Sequence, residues 1–218
     1  LVDRGDEVLA VCRTSTPALE ALDVKVIDGV EVTSDEAVAR LSAAVGAGGI
    51  DTLVCNAGIN IDAPGLDGVE ADTIARIFDV NALGTVRVVM ALLDQLNEGA
   101  KIVLLGTGSN SLNLGIVPSV GNYGYRMSKS ALVSFGGGLA RDLRDRGIAV
   151  AIVDPGPVNT DLLREVADQG RTSYDPDDAP SAREIGRKLV DRITALSVDS
   201  SPSWQQTPDG QTITLEVN

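Results

Sequence analysis

The chain has 218 residues, 44% of them hydrophobic, and carries 18 Lys and Arg against 31 Asp and Glu, a formal net charge of −13 at pH 7. The length fits one domain with a substantial core, and the acidity excludes nucleic acid and anionic membranes as partners, since both are bound through clustered cations. The sequence has no histidine, which removes His-ligated metal sites along with Ser-His-Asp and Cys-His catalysis, so proton chemistry has to use Tyr, Lys, Asp or Glu.

The opening Leu1–Glu7 reads as a helix end closed by Gly5. No secretory signal is recognised in it, so a cytoplasmic protein is expected. Val8–Cys12 is an apolar strand run, and Val24–Ile27 is a second. Thr33 to Glu36 has the spacing of a capping box, with Thr33 as N-cap, and opens a helix to about Val45. Thr52–Cys55 is a third strand. Ile74, Ile77, Phe78, Val86, Val89, Met90 and Leu93 follow at near-helical spacing. Ile102–Leu105 is a fourth strand, Tyr123 to Asp145 a long helix, and Ile148–Val153 a fifth strand. Asp161 to Pro180 reads as a loop or lid. Ser181 to Glu184 has the spacing of another capping box and opens a helix through Ile193. The segment 197–218 reads as irregular, with a short strand at Thr212–Leu215.

Strands apolar on both faces and separated by helices predict a parallel sheet covered on both sides. The fold class is therefore α/β, doubly wound and three-layered, in one domain over 1–218. Cys12 and Cys55 cannot form a disulfide framework, and no apolar run reaches the ~18–20 residues that span a bilayer.

In such sheets ligands bind beyond the carboxyl ends of the strands. The third strand is followed by Asn56-Ala57-Gly58, the fourth by Gly106-Thr107-Gly108-Ser109, and the fifth by Asp154-Pro155-Gly156-Pro157-Val158-Asn159-Thr160. Small residues at these ends let a flat ligand approach the backbone, although ordinary turns also use them. Tyr125 and Lys129 stand four apart on the long helix and share a face. A phenol with a pKa of about 10 is too weakly acidic for proton transfer near neutrality, and a nearby ammonium lowers it. The pair is a candidate general acid–base, although a surface aromatic beside a lysine has the same spacing.

These residues resemble the short-chain dehydrogenase/reductase family over about Val8 to Gly210, and most of all its sniffer/C-factor-like branch of small carbonyl reductases. Asn56-Ala57-Gly58 resembles the family's NAG motif, Tyr125 and Lys129 its YxxxK pair, and Pro155–Thr160 its PGxVxT segment. Asn81 stands at the position of the family's catalytic Asn. The resemblance implies a Rossmann-like fold and hydride exchange between a nicotinamide cofactor and a carbonyl or alcohol. It gives Tyr125 the substrate proton, Lys129 the ribose and the task of lowering the Tyr125 pKa, and Asn81 a water-mediated relay at a helix kink. The family's serine usually lies about 13 residues before the tyrosine, which here is Leu112. The branch's longer loop places it at Ser109, with Ser111 as the alternative.

For the cofactor, the resemblance places Pro155, Gly156, Val158 and Thr160 over the nicotinamide. It places Glu31 and Val32 beside the adenine, with Asp28 as a lesser alternative. Arg13 follows the first strand where an acid would select NAD(H), so NADP(H) is expected, with the guanidinium on the 2′-phosphate. The resemblance also implies a homodimer or homotetramer built on the Asn81 and Tyr125 helices, with Gly136-Gly137-Gly138 at the contact. The family's opening strand and TGxxxGxG turn are not in this sequence, so the first strand of the sheet is expected to be lacking. The expectation is a fragment of a longer enzyme. The alternatives are a catalytically inactive regulatory relative and a cofactor-free interaction module. The substrate pocket would be lined by 161–180 and Trp204.

Overall fold

The computed structural model describes residues 1–46, 49–107, 121–206 and 212–214. Its strands are β1 (Leu9–Val11), β2 (Lys25–Ile27), β3 (Ile50–Cys55), β4 (Leu96–Leu105), β5 (Ala149–Asp154), β6 (Ser203–Gln206) and β7 (Thr212–Thr214). β1 pairs with β2 in parallel. β3, β4, β5 and β6 form a parallel sheet in that order, and β7 adds to β6 antiparallel. β1 and β3 are not hydrogen-bonded neighbours, so the strands fall into two sheets.

The helices are α1 (Pro17–Glu20), α2 (Asp35–Val45), α3 (Ala71–Phe78), α4 (Gly84–Leu92), α5 (Tyr123–Asp142), α6 (Asp161–Asp168) and α7 (Ala182–Ala195). All six residues of β5 are buried. Period-two alternation sends its side chains to both faces. Val150 and Ile152, with Ile102 and Leu104 of β4, meet Val89 of α4 and Leu139, Ala140 and Leu143 at the end of α5. Ala149, Ala151 and Val153 meet Ile193 and Leu196 at the end of α7. This is the expected three-layer α/β/α arrangement, with the strand ends opening between the helical layers.

Some elements differ from expectation for local reasons. The N-cap of α2 is Ser34 rather than Thr33; its hydroxyl accepts from Ala37 N. At α7 the Ser181 hydroxyl accepts from Glu184 N as expected, while the Glu184 carboxylate reaches forward to Lys188 Nζ at 3.0 Å instead of back. The run through Ile74 and Leu93 is not one helix: a wide π-type turn, Asp79–Leu83, separates α3 from α4. The supposed loop 161–180 begins with a helix, α6, capped by Thr160 accepting from Leu163 N. The supposedly irregular stretch after 197 holds β6.

Candidate active site

The site forms at the carboxyl ends of β3, β4 and β5, against α5. Asn56, Ala57 and Gly58 leave β3 exposed. The π-type turn turns Asn81 inward, where it is fully buried. Its Oδ1 accepts from Ile59 N at 2.8 Å, and its Nδ2 donates to Ile59 O at 2.9 Å and to Ser128 Oγ at 3.0 Å. Ser128 Oγ in turn donates to Tyr125 O at 2.7 Å. One side chain thus joins the loop after β3 to the first turns of α5. The kink expected at Asn81 is present, but its carbonyl is not left free: Thr85 Oγ1 donates to it at 3.0 Å.

Lys129 is 4% exposed, and its ammonium donates to Leu105 O, the last residue of β4, at 2.7 Å. The same ammonium lies 5.7 Å from the centroid of the Tyr125 ring. A Cβ on Gly58 would stand 3.3 Å from Asn81 Oδ1 and 3.5 Å from Lys129 Nζ. Glycine therefore keeps open a shallow cradle bounded by the exposed loop after β3, Asn81 and Lys129. The backbone there can approach a flat ring closely, so these residues fit the nicotinamide end of a dinucleotide.

The electrostatics correct one expectation. Burial pulls the Lys129 ammonium down to about 8. Burial, with the Asp154 carboxylate second, pushes the Tyr125 phenol up to about 12. The phenol thus moves upward, opposite to the lowering expected from its lysine neighbour. Burial likewise pushes the neighbouring Cys55 thiol up to about 12, which suits a core residue rather than a nucleophile.

The fifth strand ends on Asp154, whose Oδ1 accepts from Gly156 N at 2.9 Å. Pro155, Gly156 and Val158 are half-buried and Thr160 is exposed. The segment is fixed at its far end, where Asn159 N donates to Pro180 O and Arg164 donates to Asn159 Oδ1. Thr160 Oγ1 donates to Val158 O at 3.2 Å. At the adenine end, Arg13 is exposed and its guanidinium lies 3.6 Å from Glu31 Oε2. Val32 packs on Gly84, where a Cβ would come within 2.8 Å of its Cγ2. Asp28 is exposed. Ser109 and Ser111 lie outside the described residues, as does the side chain of Trp204. The structure thus brings Asn81, Tyr125, Lys129 and Gly58 together, and sets Arg13 with Glu31 in a separate group.

Sequence reasoning missed a buried polar cluster behind Tyr125. The Asp62 carboxylate accepts from Gly124 N at 3.0 Å and Tyr125 N at 2.8 Å, capping α5 from 62 residues away. Asn122, the residue where a cap would be sought, makes no cap within α5 and instead accepts from Asn60 Nδ2 at 2.9 Å. Local spacing carries no signal for a cap supplied from another loop.

The short chain dehydrogenase family model matches residues 1–171. The chain belongs to the short-chain dehydrogenase family. A 1-hydroxy-2-glutathionyl-2-methyl-3-butene dehydrogenase of a Rhodococcus species is 35% identical over 197 residues, which is 89% of this chain and 84% of that protein. Among solved structures, an NADPH-bound carbonyl reductase from chicken fatty liver superposes with a TM-score of 0.81 at 22% identity, covering 96% of this chain and 88% of that one. The carbonyl reductase Sniffer of D. melanogaster superposes with a TM-score of 0.80 at 20% identity over the same shares, 96% and 88%. These two similarities show the Rossmann-like short-chain dehydrogenase fold. The family is one of NAD(P)-dependent oxidoreductases acting on small molecules. Among the described residues, no helix is long and apolar enough to cross a membrane.

Proposed function

We propose that this short-chain dehydrogenase is an NADP(H)-preferring carbonyl reductase or alcohol dehydrogenase, with Tyr125 as its general acid–base. The observation that carries the reading is the pairing of Tyr125 with a buried Lys129 on one face of α5, beside Asn81 and the Gly58 cradle. When bound, the nicotinamide supplies or accepts the hydride. Tyr125 gives its phenol proton to the substrate oxygen in reduction and takes it back in oxidation. Lys129 anchors the ribose side and keeps a positive charge close to the phenol. Asn81 fixes the loop after β3 against α5. Ser109 holds the substrate oxygen in line, with Ser111 the alternative. Asn56, Ala57 and Gly58 flank the ring on one side, and Pro155, Gly156, Val158 and Thr160 on the other. Glu31 and Val32 border the adenine.

The exposed Arg13 supports the NADP(H) preference, since a guanidinium suits a 2′-phosphate in two-pronged geometry. The one ion pair of Arg13 among the described residues, with Glu31 at 3.6 Å, is exposed and therefore weak. The α4–α5 face supports self-association: Met90 of α4 and Met127 of α5 are each more than half exposed, and Met90 lines a groove with Phe135 and Gly138. A homodimer or homotetramer fits this face.

The alternative is a cofactor-free or regulatory relative. Titration with NADPH and then NADH, followed by nicotinamide fluorescence, separates the two. Tighter binding of NADPH, with turnover of a carbonyl panel that Tyr125→Phe abolishes, is the expected result. Binding of neither nucleotide moves the chain to the second reading.

A further inference from the structure

Arg171 is the largest fully buried side chain among the described residues, 1% exposed, yet it makes no ion pair among them. Its place is set by the end of α6. Gly170, at φ 66°, closes a Schellman turn in which Gly170 N donates to Ala167 O and Arg171 N to Val166 O. That turn directs the Arg171 side chain toward Asn60 and Asn122. A buried guanidinium is costly unless its donors are satisfied; here neutral acceptors take four of its five N–H groups, and the Asp62 and Glu165 carboxylates favour its charge from a distance. Nη1 donates to Asn60 Oδ1 and Asn122 Oδ1, both at 2.7 Å; Nη2 donates to Asn60 O at 3.0 Å; Nε donates to Gln169 Oε1 at 2.8 Å. Asn122 Nδ2 returns a bond to Arg171 O at 3.2 Å.

Three separate segments meet on this one group. Asn60 belongs to the loop after β3 that also supplies Asp62, the cap on Gly124 N and Tyr125 N. Asn122 is the residue before α5. Arg171 opens the stretch Thr172–Asp177, which walls a cavity together with Arg164, Ala167 and Asp168 of α6. We propose that Arg171 is a positioning residue: it locks the loop after β3 onto the start of α5 and ties the wall at 172–177 to the same point, so that Tyr125 is held in register with that wall. The inference rests on the reading of Tyr125 as the proton-transfer group for its functional meaning, but not for its structural content. Lys cannot replace the planar fork that reaches two asparagines and a carbonyl at once.

The test is amide hydrogen exchange on the full chain, comparing wild type with Arg171→Met and Asn122→Gly. The glycine variant keeps the left-handed backbone of Asn122, at φ 57°, while deleting its acceptor, and it serves alone if Arg171→Met does not fold. The expected result is that the amides at 124–125 and those at 172–177 both exchange at least tenfold faster, with α7 unchanged. Faster exchange at 172–177 alone, with 124–125 protected as in wild type, overturns the inference. Where wild type reduces a carbonyl probe such as 4-nitrobenzaldehyde, kcat of the folded variant is expected to fall at least tenfold while its NADPH dissociation constant stays within twofold. Unchanged kcat also overturns it. Absence of wild-type turnover on any carbonyl would sink the functional reading instead, and the exchange result would still decide the coupling.

Discussion

The Lys129 ammonium donates to the carbonyl of Leu105 at 2.7 Å, tying α5 to the end of β4 from inside the fold. That bond explains how a nearly buried cation is tolerated, and it gives the folded protein a pH signature. Lys129 sits at about 8 in the fold, against about 10.4 for an unfolded lysine. Between these values the unfolded chain holds a proton that the fold lacks, so stability contributed by this site rises with pH across the window. Below pH 8 the full cost of burying the charge is present. Lys129→Met removes this pH dependence. The stability difference between wild type and variant is expected to shift in favour of wild type by about 2–3 kcal/mol from pH 7 to pH 10. Urea unfolding at four pH values reads it, and a flat difference would contradict a buried ammonium.

Tyr125→Phe keeps the ring and loses only the hydroxyl. Because Asp62 caps the backbone of Tyr125 and not its side chain, the helix start should be untouched. Activity is expected to fall about 10²–10⁴-fold, the range for losing a positioned acid–base group. Far-UV circular dichroism and NADPH affinity should stay at wild-type values. Retention of most activity would remove Tyr125 from the mechanism.

Asn81 gives and takes one bond each with the backbone of Ile59. Asn81→Ala strands a donor and an acceptor inside the protein, and a loss of about 2–4 kcal/mol is expected. Asn81→Asp is more informative. Its carboxylate can accept from Ile59 N but cannot donate to Ile59 O, so burial should raise its pKa above the unfolded value. Stability relative to wild type is then expected to increase on going from pH 8 to pH 5, as the acid gains the missing proton. Thermal unfolding across that range checks the sign.

The parts of this site legible in the sequence were those set by local spacing. Tyr125 and Lys129 share a helix face because they are four apart, and the apolar runs at 102–105 and 148–153 gave β4 and β5 because both sheet faces are covered. What could not be read depends on partners far away in the chain. Asp62 caps α5 across 62 residues, and Arg171 reaches Asn60 across 111. The Tyr125 pKa went the other way from expectation for the same reason: spacing reveals the neighbouring lysine but not the depth of burial. Helix α6 starts on Thr160, a good cap by itself, but the prolines and acids at 175–180 give the segment as a whole the composition of a loop.

Arg13 and Glu31 face one another at 3.6 Å with Arg13 mostly exposed, so their attraction contributes little to stability. Their role is expected at the cofactor. Arg13→Ala should weaken NADPH binding about tenfold, the equivalent of about one charge-assisted hydrogen bond, and leave NADH unchanged. Glu31→Ala should tighten NADPH by freeing the guanidinium. Fluorescence titrations with both nucleotides read the two effects; equal losses for NADPH and NADH in Arg13→Ala would place Arg13 away from the 2′-phosphate.

The three consecutive glycines of α5 separate packing from association. A Cβ on Gly136 would meet Ile152 Cδ1 at 2.8 Å and Leu104 Cδ1 at 3.2 Å, so Gly136→Ala overpacks the helix against the sheet and should cost about 1–3 kcal/mol. Gly137 and Gly138 have nothing within 4 Å of that position. Alanine there should stabilise the helix by up to about 1 kcal/mol each, the ordinary difference in helix propensity. Gly138 also borders the groove between Met90 and Phe135, the face assigned to self-association. Gly138→Trp should therefore leave the monomer folded, since its side chain enters open space, yet block close approach of a second α5. Light scattering after size exclusion is expected to show wild type as an oligomer and Gly138→Trp as a monomer. An oligomer that survives the substitution would place the interface on another face of the molecule.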